Sequence, residues 1–209
     1  MLTHNQIKEI FAILTEKIKA PETELQFRNN YTLLVAVILS AQAKDSVVNI
    51  ATEPLFKIAD TPEKMLKLGE EKLIDYIKII GLYKNKAKNI ILMSQQLIDK
   101  HNSIVSDSFE DLISLAGVGR KTANVILNVA FKQDTFPVDT HVFRVSRRIG
   151  LSDGSDVLQV EQDLFEKIPN PYRNSSHHLM ILLGRYTCKA KGFDCTTCML
   201  NKICEKNFL

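Results

Sequence analysis

The sequence predicts an all-α protein of about ten helices joined by short loops. Apolar residues recur at intervals of three and four along the chain, and no segment shows the period-two alternation of a half-buried strand. Residues that favour helix starts, such as Thr3 and Thr61, and glycines at helix ends, such as Gly69 and Gly150, divide the chain at short intervals. The pattern contains no internal repeat, long linker or low-complexity segment.

Composition indicates a globular protein with enough apolar material for a core. Of the 209 residues, 45% are hydrophobic and 24% are charged. The net charge of +3 does not establish a nucleic-acid partner, but it permits one if the basic residues cluster. No signal peptide opens the chain, and the longest apolar run, Leu33 to Leu39, is far shorter than the roughly 20 residues of a membrane span. We therefore expect a soluble, cytoplasmic protein.

The N-terminal helices are predicted from caps and apolar stripes. Thr3 and Gln6 match a capping box, and Pro21 ends the helix that follows. Its buried stripe consists of Ile7, Ile10, Phe11, Leu14 and Ile18. The segment from Tyr31 to Leu39 is apolar nearly all round, which favours a helix buried at the centre of a bundle. Gln42 ends this run, and its amide needs a partner in the protein or in a ligand; the residues alone favour the protein.

The middle of the chain predicts helices that start at Thr61-Pro62 and end near Gly69 and Gly81. A longer amphipathic helix follows from Tyr83 to His101. Three lysines crowd its first turn and a half, namely Lys84, Lys86 and Lys88. Because cations oppose the dipole there, this edge either is simply solvated or faces a phosphate. Leu82 precedes the helix as an apolar side chain on a loop.

A glycine turn between two short helical patterns is the most informative segment, spanning residues 109–130. Gly117 and Gly119 permit unusual backbone angles, and a glycine turn that opens a helix presents N–H groups to an anion. Arg120 and Lys121 then occupy the first turn of the second helix, where the dipole disfavours cations. Three interpretations fit: a polyanion passing the turn, an amine that must lose its proton, or an ordinary helix corner.

Helices continue to the end of the chain. The extended connection from Thr135 leads to Asp139, which is an expected N-cap for a helix that ends at Gly150. Ser155 is the expected cap of the next helix, and a last one is predicted from Ser175 to Tyr186.

Four cysteines lie within the last 22 residues, and they indicate a metal site. They are Cys188, Cys195, Cys198 and Cys204, separated by six, two and five residues. Clustered cysteines in a protein without a secretory signal favour a metal over disulfides. The chemistry alone leaves zinc and an iron-sulfur cluster nearly level, with disulfides less favoured.

Together these motifs resemble the endonuclease III family of helix-hairpin-helix DNA glycosylases and abasic-site lyases. The similar segments are Leu39–Gln42, Gly81–Ala87, Leu115–Asn124, Val138–His141, Gly184–Cys188 and the cysteine spacing, so the resemblance covers nearly the whole chain. It implies a [4Fe-4S] cluster held by the four cysteines. It also implies two lobes: a six-helix domain of residues 21–132 that contains the helix-hairpin-helix, and an iron-sulfur cluster domain of residues 1–20 and 133–209.

The resemblance further implies a bifunctional enzyme of base excision repair. Such an enzyme flips an oxidised pyrimidine out of damaged double-stranded DNA, expels the base through a lysine Schiff base, and cleaves 3′ to the abasic site by β-elimination. Lys121 matches the nucleophile, and Asp139 matches the carboxylate that supports charge and proton transfer. The helix start, Arg120 and partial burial are expected to favour the neutral amine of Lys121. A monomer in the cytoplasm, associated with the nucleoid, is expected.

Six residues are expected to contact DNA by the same resemblance. The N–H groups around Gly117 and Gly119, with Arg120, match the phosphate site of the hairpin. Leu82 matches a wedge that enters the base stack, and Gln42 matches the residue that fills the vacated space. Lys191, in the loop between Cys188 and Cys195, is the sixth.

Some positions depart from the family pattern and leave substrate preference open. Ala116 stands where a proline is common, which should loosen the turn without removing its N–H donors. Ala43-Lys44 replaces a pair that is often two threonines, and Lys44 adds a potential phosphate contact. Asp194 adds an acidic group to the loop that holds Lys191, which should weaken a contact of this loop with DNA.

Three other classes remain as alternatives. A related glycosylase that removes mismatched adenine shares the cysteine spacing, but it typically lacks the lysine and carries an additional C-terminal domain. A non-catalytic DNA-binding module would need neither Lys121 nor Asp139. A redox protein would use the cluster for electron transfer in the absence of DNA.

Overall fold

The computed structural model describes residues 2–19 and 21–208, which form eleven α-helices and no strand. The helices are α1 His4–Lys17, α2 Asn30–Ser40, α3 Asp45–Ile58, α4 Pro62–Leu68, α5 Glu70–Ile77, α6 Tyr83–His101, α7 Phe109–Ser114, α8 Arg120–Phe131, α9 Thr140–Ile149, α10 Val157–Lys167 and α11 Arg173–Leu182. A 3₁₀ turn, Asn170–Tyr172, precedes α11, and a π-helical turn, Leu183–Thr187, follows it. The prediction of an all-α protein is confirmed.

The chain divides into two compact bodies. The hairpin body is Thr23–Lys132 and contains α2 to α8, while the cysteine body is Met1–Glu22 with Gln133–Leu209 and contains α1 and α9 to α11. The described part of the hairpin body has seven helices, one more than the six expected, and Gly69 separates α4 from α5 as predicted. Gly69 has a positive φ of 81°, which a glycine adopts at little cost.

Helix α2 lies at the centre of the hairpin body. Residues 31–39 are all buried, as expected for a helix that is apolar on every side. Its start is fixed by a capping box, in which Asn29 and Thr32 satisfy each other's backbone N–H groups. The Asn29 side chain also donates to the Asp60 carbonyl at 2.9 Å, so the same residue ties α2 to the start of the α4 segment.

The cysteine body joins the two ends of the chain. Thr3 and Gln6 form the predicted capping box of α1, and four residues of its predicted stripe are buried. The fifth, Ile18, lies just after the helix and is only partly buried. The Phe11 ring stacks on Tyr172, with ring centroids 5.8 Å apart, in a core that also contains Val142 and Leu179. The N-terminal helix is therefore part of the core of the C-terminal half.

Two predicted boundaries were wrong. Asp156, and not Ser155, caps α10, because its carboxylate accepts from both Leu158 N and Gln159 N at 2.9 and 3.0 Å. The last helix runs from Arg173 to Leu182 and then widens into the π-helical turn, instead of continuing to Tyr186. Helix α3 has no counterpart among the predicted helices, although Val48, Ala51 and Leu55 mark its buried face.

Within residues 2–19 and 21–208, no helix is both long and apolar enough to cross a bilayer.

Candidate functional site

The glycine hairpin lies between α7 and α8, and its two glycines serve different purposes. Gly117 has a φ of 78°, and a Cβ there would lie 2.9 Å from the Asn89 Cβ, so the fold itself requires glycine. Gly119 has an extended backbone, with φ of −96° and ψ of 176°, and a Cβ there would meet nothing within 4 Å. Glycine at 119 therefore leaves the turn open to a group from outside the chain.

The first turn of α8 is the expected anion site. Gly119 is its N-cap and has no side chain with which to satisfy the N–H groups that follow. Arg120 and Lys121 occupy this turn as predicted, and the Arg120 guanidinium lies 5.2 Å from the centre of the Phe109 ring. Lys121 is exposed, so the expected partial burial of its side chain was wrong. Its position beside open N–H groups stands.

Helix α6 holds the hairpin through Gln96. The Gln96 Oε1 accepts from Ala116 N at 2.7 Å, and its Nε2 donates to the Ser114 carbonyl at 3.3 Å. One side-chain amide thus connects both sides of the bend. Proline has no N–H and could not make this bond to Gln96. The hydrogen bond of Ala116 therefore opposes the loosening of the turn that we expected from alanine in place of proline.

Gln42 and Leu82 occupy two strained, exposed turns of the hairpin body. Their φ angles are 56° and 60°, a left-handed conformation that costs a residue with a Cβ about 1 to 2 kcal/mol. The Leu82 side chain is 60% exposed at the N-cap of α6. Gln42 is exposed, and its side chain makes no hydrogen bond to the described residues, which corrects the expectation from the residues alone of a partner within the protein.

The three lysines at the start of α6 are not equivalent. Lys84 and Lys88 are exposed, whereas Lys86 is only 6% exposed. The Lys86 Nζ donates to the carbonyls of Leu39 and Ala41, at 2.9 and 2.7 Å. Lys86 is therefore a cap for the C-terminus of α2, and both interpretations offered for the three lysines as a group are wrong for it.

Asp139 opens α9 in the cysteine body as its N-cap. Its Oδ1 accepts from His141 N and Val142 N, each at 2.8 Å, as the sequence predicted. Its other oxygen, Oδ2, makes no hydrogen bond to the described residues. One carboxylate oxygen thus fixes the orientation of the group, and the second is available for chemistry. Lys121 belongs to the hairpin body and Asp139 to the cysteine body.

The four cysteines line one cavity of about 400 Å³, solvent at its mouth included. None of them forms a disulfide, and all are partly buried. The remaining walls are largely apolar and aromatic, and they include Ile149, Leu183, Phe193, Leu200 and Phe208. Among residues 2–19 and 21–208, no three histidine, cysteine or acidic side chains form a group that could hold a single metal ion.

Polar groups around this cavity are directed at the sulfur atoms. Leu200 N donates to Cys198 Sγ at 3.5 Å, and Lys206 N donates to Cys204 Sγ at 3.4 Å. Burial raises the pKa of the Cys198 and Cys204 thiols, which disfavours their thiolate forms. The positive charge of a bound metal would favour the thiolates. The cavity, the four thiols and the N–H donors fit a cluster that is ligated by cysteine.

Arg148 forms part of the cavity wall and was not singled out in the sequence. Its Nη1 lies 3.6 Å from Cys188 Sγ and donates to the Lys189 carbonyl at 2.7 Å. Its guanidinium lies 4.3 Å from the centre of the Phe193 ring and 5.7 Å from that of Phe208. In the sequence, Arg148 is marked only by its place in the last turn of α9. This signal is weak, because arginine is common near the C-terminus of a helix.

The loop between the first two cysteines presents Lys191 to solvent, whereas Asp194 has a local role. Lys191 is exposed. The Asp194 carboxylate accepts from Thr196 N at 2.8 Å and from Thr196 Oγ1 at 2.7 Å, which closes the turn between Cys195 and Cys198. The acidic residue therefore shapes the cysteine loop.

Residues 35–170 match the family described as HhH-GPD superfamily base excision DNA repair protein. Helix-hairpin-helix geometry, an open helix start and an all-α fold agree with that match, and they define the chain as a base excision DNA repair protein of this class.

Proteins that are similar over nearly the whole chain identify the family within this class. Endonuclease III of Rickettsia prowazekii (strain Madrid E) is 50% identical over 199 residues, which cover 95% of this chain and 94% of the relative. Endonuclease III of Escherichia coli (strain K12) is 47% identical over 197 residues, which cover 94% and 93%. A trapped endonuclease III–DNA covalent intermediate is similar in structure, with a TM-score of 0.92, 42% identity and coverage of 99% of this chain and 97% of that chain. The chain belongs to the endonuclease III family.

We predict that the Gln96→Ala variant lowers the free energy of unfolding by about 1 to 2 kcal/mol, because two hydrogen bonds across the hairpin are lost. Urea unfolding followed by circular dichroism measures this change. The matched control is Gln95→Ala. Among the described residues the Gln95 side chain bonds only to Asp99 on the same helix, so its removal should cost less than about 0.5 kcal/mol. Equal effects of the two variants would contradict a specific role of Gln96.

Proposed function

We propose that this chain is a bifunctional DNA glycosylase and abasic-site lyase that removes oxidised pyrimidines from duplex DNA. The observation that carries the proposal is the placement of Lys121, a primary amine, in the uncapped first turn of α8 beside the glycine hairpin. Such a turn attracts a phosphate, so an amine in it is close to the sugar of a bound nucleotide. The covalent intermediate trapped for the similar endonuclease III agrees with a mechanism in which a protein nucleophile bonds to DNA.

Binding of the DNA backbone is assigned to the hairpin. The N–H groups that follow Gly117 and Gly119 would donate to a phosphate, with Arg120 adding charge. Lys44, Lys84 and Lys88 are exposed in the same body and add to the attraction for a polyanion. These contacts fix position and carry no information about base sequence.

Exposure of the target base is assigned to Leu82 and Gln42. An enzyme that acts at C1′ must rotate the nucleotide out of the stack. The exposed Leu82 side chain has the character of a wedge between bases, and the free amide of Gln42 can hydrogen-bond to the base left without a partner. Both side chains are presented by strained turns, which is common where function requires a fixed orientation.

Lys121 is the proposed nucleophile. Its neutral amine attacks C1′, and the glycosidic bond breaks as the base departs with the bonding electrons and takes up a proton. Opening of the sugar gives a Schiff base between Nζ and C1′. Loss of a proton from C2′ then expels the 3′ phosphate, which cuts the strand on the 3′ side of the lesion.

Asp139 is proposed to support this chemistry through Oδ2. A carboxylate held by its Oδ1 in a helix cap has a fixed orientation, so its charge is preorganised for the positive charge that develops on the sugar. The same oxygen can accept a proton during the elimination.

Cys188, Cys195, Cys198 and Cys204 are proposed to hold a [4Fe-4S] cluster. Bound there, the cluster would supply four covalent crosslinks to a segment, residues 188–208, that contains no α-helix. Metal binding then contributes to the folding free energy of this segment. Lys191 is the proposed DNA contact of the cysteine loop. We further propose that the protein acts as a monomer in the cytoplasm, associated with chromosomal DNA.

The Lys121→Gln variant should lose covalent trapping by borohydride on a duplex with one abasic site, because glutamine has no amine. Native protein should give the crosslinked band. Lys132→Gln, at the other end of α8, is the matched control and should crosslink like native protein. A trapped band with Lys121→Gln would remove Lys121 from the nucleophile role. Absence of a band with native protein that binds the duplex would contradict lyase activity.

The Asp139→Asn variant should fold normally yet react slowly, since asparagine caps a helix about as well as aspartate but carries no charge. Base excision under single-turnover conditions should slow by about 100-fold or more. Asp156→Asn makes the same exchange at the N-cap of α10 and should leave the rate unchanged. If both variants react at the native rate, Asp139 is only a helix cap.

The Cys198→Ser variant should lose the iron absorbance and loosen residues 188–208, which lack an α-helix of their own. Limited proteolysis with mass spectrometry should show new cuts there, while the hairpin body stays resistant. Thr196→Ser, in the same loop, should behave like native protein because serine can keep the hydroxyl bond to Asp194. An iron-free Cys198→Ser variant with native resistance to proteolysis would refute a structural role of the cluster.

A further inference from the structure

Two separate segments of the hairpin body present Gln42 and Leu82, and one side chain connects them. Lys86 lies one turn into α6, and its N–H donates to the Leu82 carbonyl at 3.1 Å, which closes the first turn of that helix. Its Nζ donates to the carbonyls of Leu39 and Ala41, two of the three residues that precede Gln42. The backbone of Lys86 thus belongs to one turn while its ammonium bonds to the other.

We propose that Lys86 is a positioning residue for DNA recognition: it clamps the Gln42 turn and the Leu82 turn into one unit, so that both side chains enter the duplex in a fixed mutual arrangement. This inference rests on the proposed function of Gln42 and Leu82 as the residues that enter DNA.

The clamp compensates a specific weakness at the end of α2. Helices commonly end at a glycine in the left-handed conformation, because a Cβ there is costly. Here Gln42 takes that conformation with φ of 56°, and the chain continues through a bond from Ala43 N to the Ser40 carbonyl at 3.0 Å. Two charge-assisted bonds from Lys86 to this last turn oppose its unwinding. A cation at a helix C-terminus is also favoured by the dipole.

The position of Lys86 distinguishes a clamp from ordinary core packing. Lys86 continues the buried stripe of α6 that contains Ile90, Met93 and Leu97, so an apolar side chain would suit the same place. Burial lowers the pKa of Lys86, and the ammonium forms no ion pair with the described residues. A buried cation without a carboxylate is costly unless hydrogen bonds compensate. What it provides here, and an apolar residue could not, is directional attachment of the Gln42 turn.

The first test is free of DNA and uses amide hydrogen exchange in the holoprotein, resolved for residues 39–44. Lys86→Met keeps the length and apolar stem but removes both bonds, and exchange in this turn should accelerate about tenfold or more. Lys86→Arg keeps the donors in a different geometry, and it should restore protection in part. Lys100→Met, an exposed lysine on the same helix, is the control and should exchange like native protein.

The second test measures insertion. A duplex carries a stable abasic-site analogue opposite 2-aminopurine, whose fluorescence rises when it is unstacked. At saturating protein, Lys86→Met should give less than half of the native fluorescence change, and its affinity should fall about tenfold. Lys86→Arg should recover part of the signal, and Lys100→Met should retain all of it.

Each outcome supports or overturns the clamp. Unchanged exchange in residues 39–44 of Lys86→Met overturns it. Accelerated exchange throughout the hairpin body, or failure to fold, also overturns it, because Lys86 would then be a general core residue. Accelerated exchange confined to the turn, with native fluorescence and affinity, shows that the clamp does not act in recognition. If native protein itself produces no fluorescence change, the proposed function of Gln42 and Leu82 fails, while the exchange experiment still decides whether the clamp exists.

Discussion

The elements assigned to DNA contact in the hairpin body depend on their attachment to one helix, α6. Leu82 is its N-cap, the Lys86 ammonium holds the end of α2, and Gln96 connects both sides of the hairpin. Asn89 packs where a Cβ on Gly117 would lie. Lys86 and Gln96 are ten residues apart, or about 15 Å along the helix axis. A rigid helix of this length sets the distance between the proposed wedge and the proposed phosphate site, and its buried stripe, which Lys86 continues, anchors it in the core.

Cap chemistry and apolar spacing explain why so much of the fold was predictable. The Thr3 and Asp139 caps, the buried α2 and the helices around Gly117 and Gly119 all follow from local rules, because caps, apolar spacing and glycine turns involve residues only a few positions apart. The structural roles of Lys86 and Gln96 were missed for the opposite reason. Their partners are backbone carbonyls and an N–H group 18 to 47 residues away, and a backbone partner leaves no complementary residue in the sequence. The only available signal for Lys86 was its place on an apolar stripe.

The cysteine body shows a similar division. Cysteine spacing identified the thiols. The position of Cys188 at the cavity, however, depends on the π-helical turn, which is closed by a bond from Cys188 N to the Leu183 carbonyl at 2.7 Å. Gly184 in this turn allows α9 to approach, since a Cβ would lie 3.0 Å from the His141 Cβ and 3.1 Å from Val145 Cγ2. A wider helical turn and a close helix contact arise from packing between distant segments. Neither has a reliable local pattern.

The turns at Gln42 and Leu82 carry backbone strain that burial of their side chains does not offset. Glycine at either position would relieve about 1 to 2 kcal/mol of backbone strain, and neither side chain repays that cost by burial. The same body uses glycine at two other positions of positive φ, Gly69 and Gly117, and other residues at three more, namely Asn102, Ser103 and Lys132. A positive φ is therefore not what distinguishes Gln42 and Leu82; what distinguishes them is that Lys86 bonds to the backbone of both turns. An exposed amide and an exposed apolar side chain, on two turns that Lys86 connects, are the features that the proposed insertion into a base stack would use.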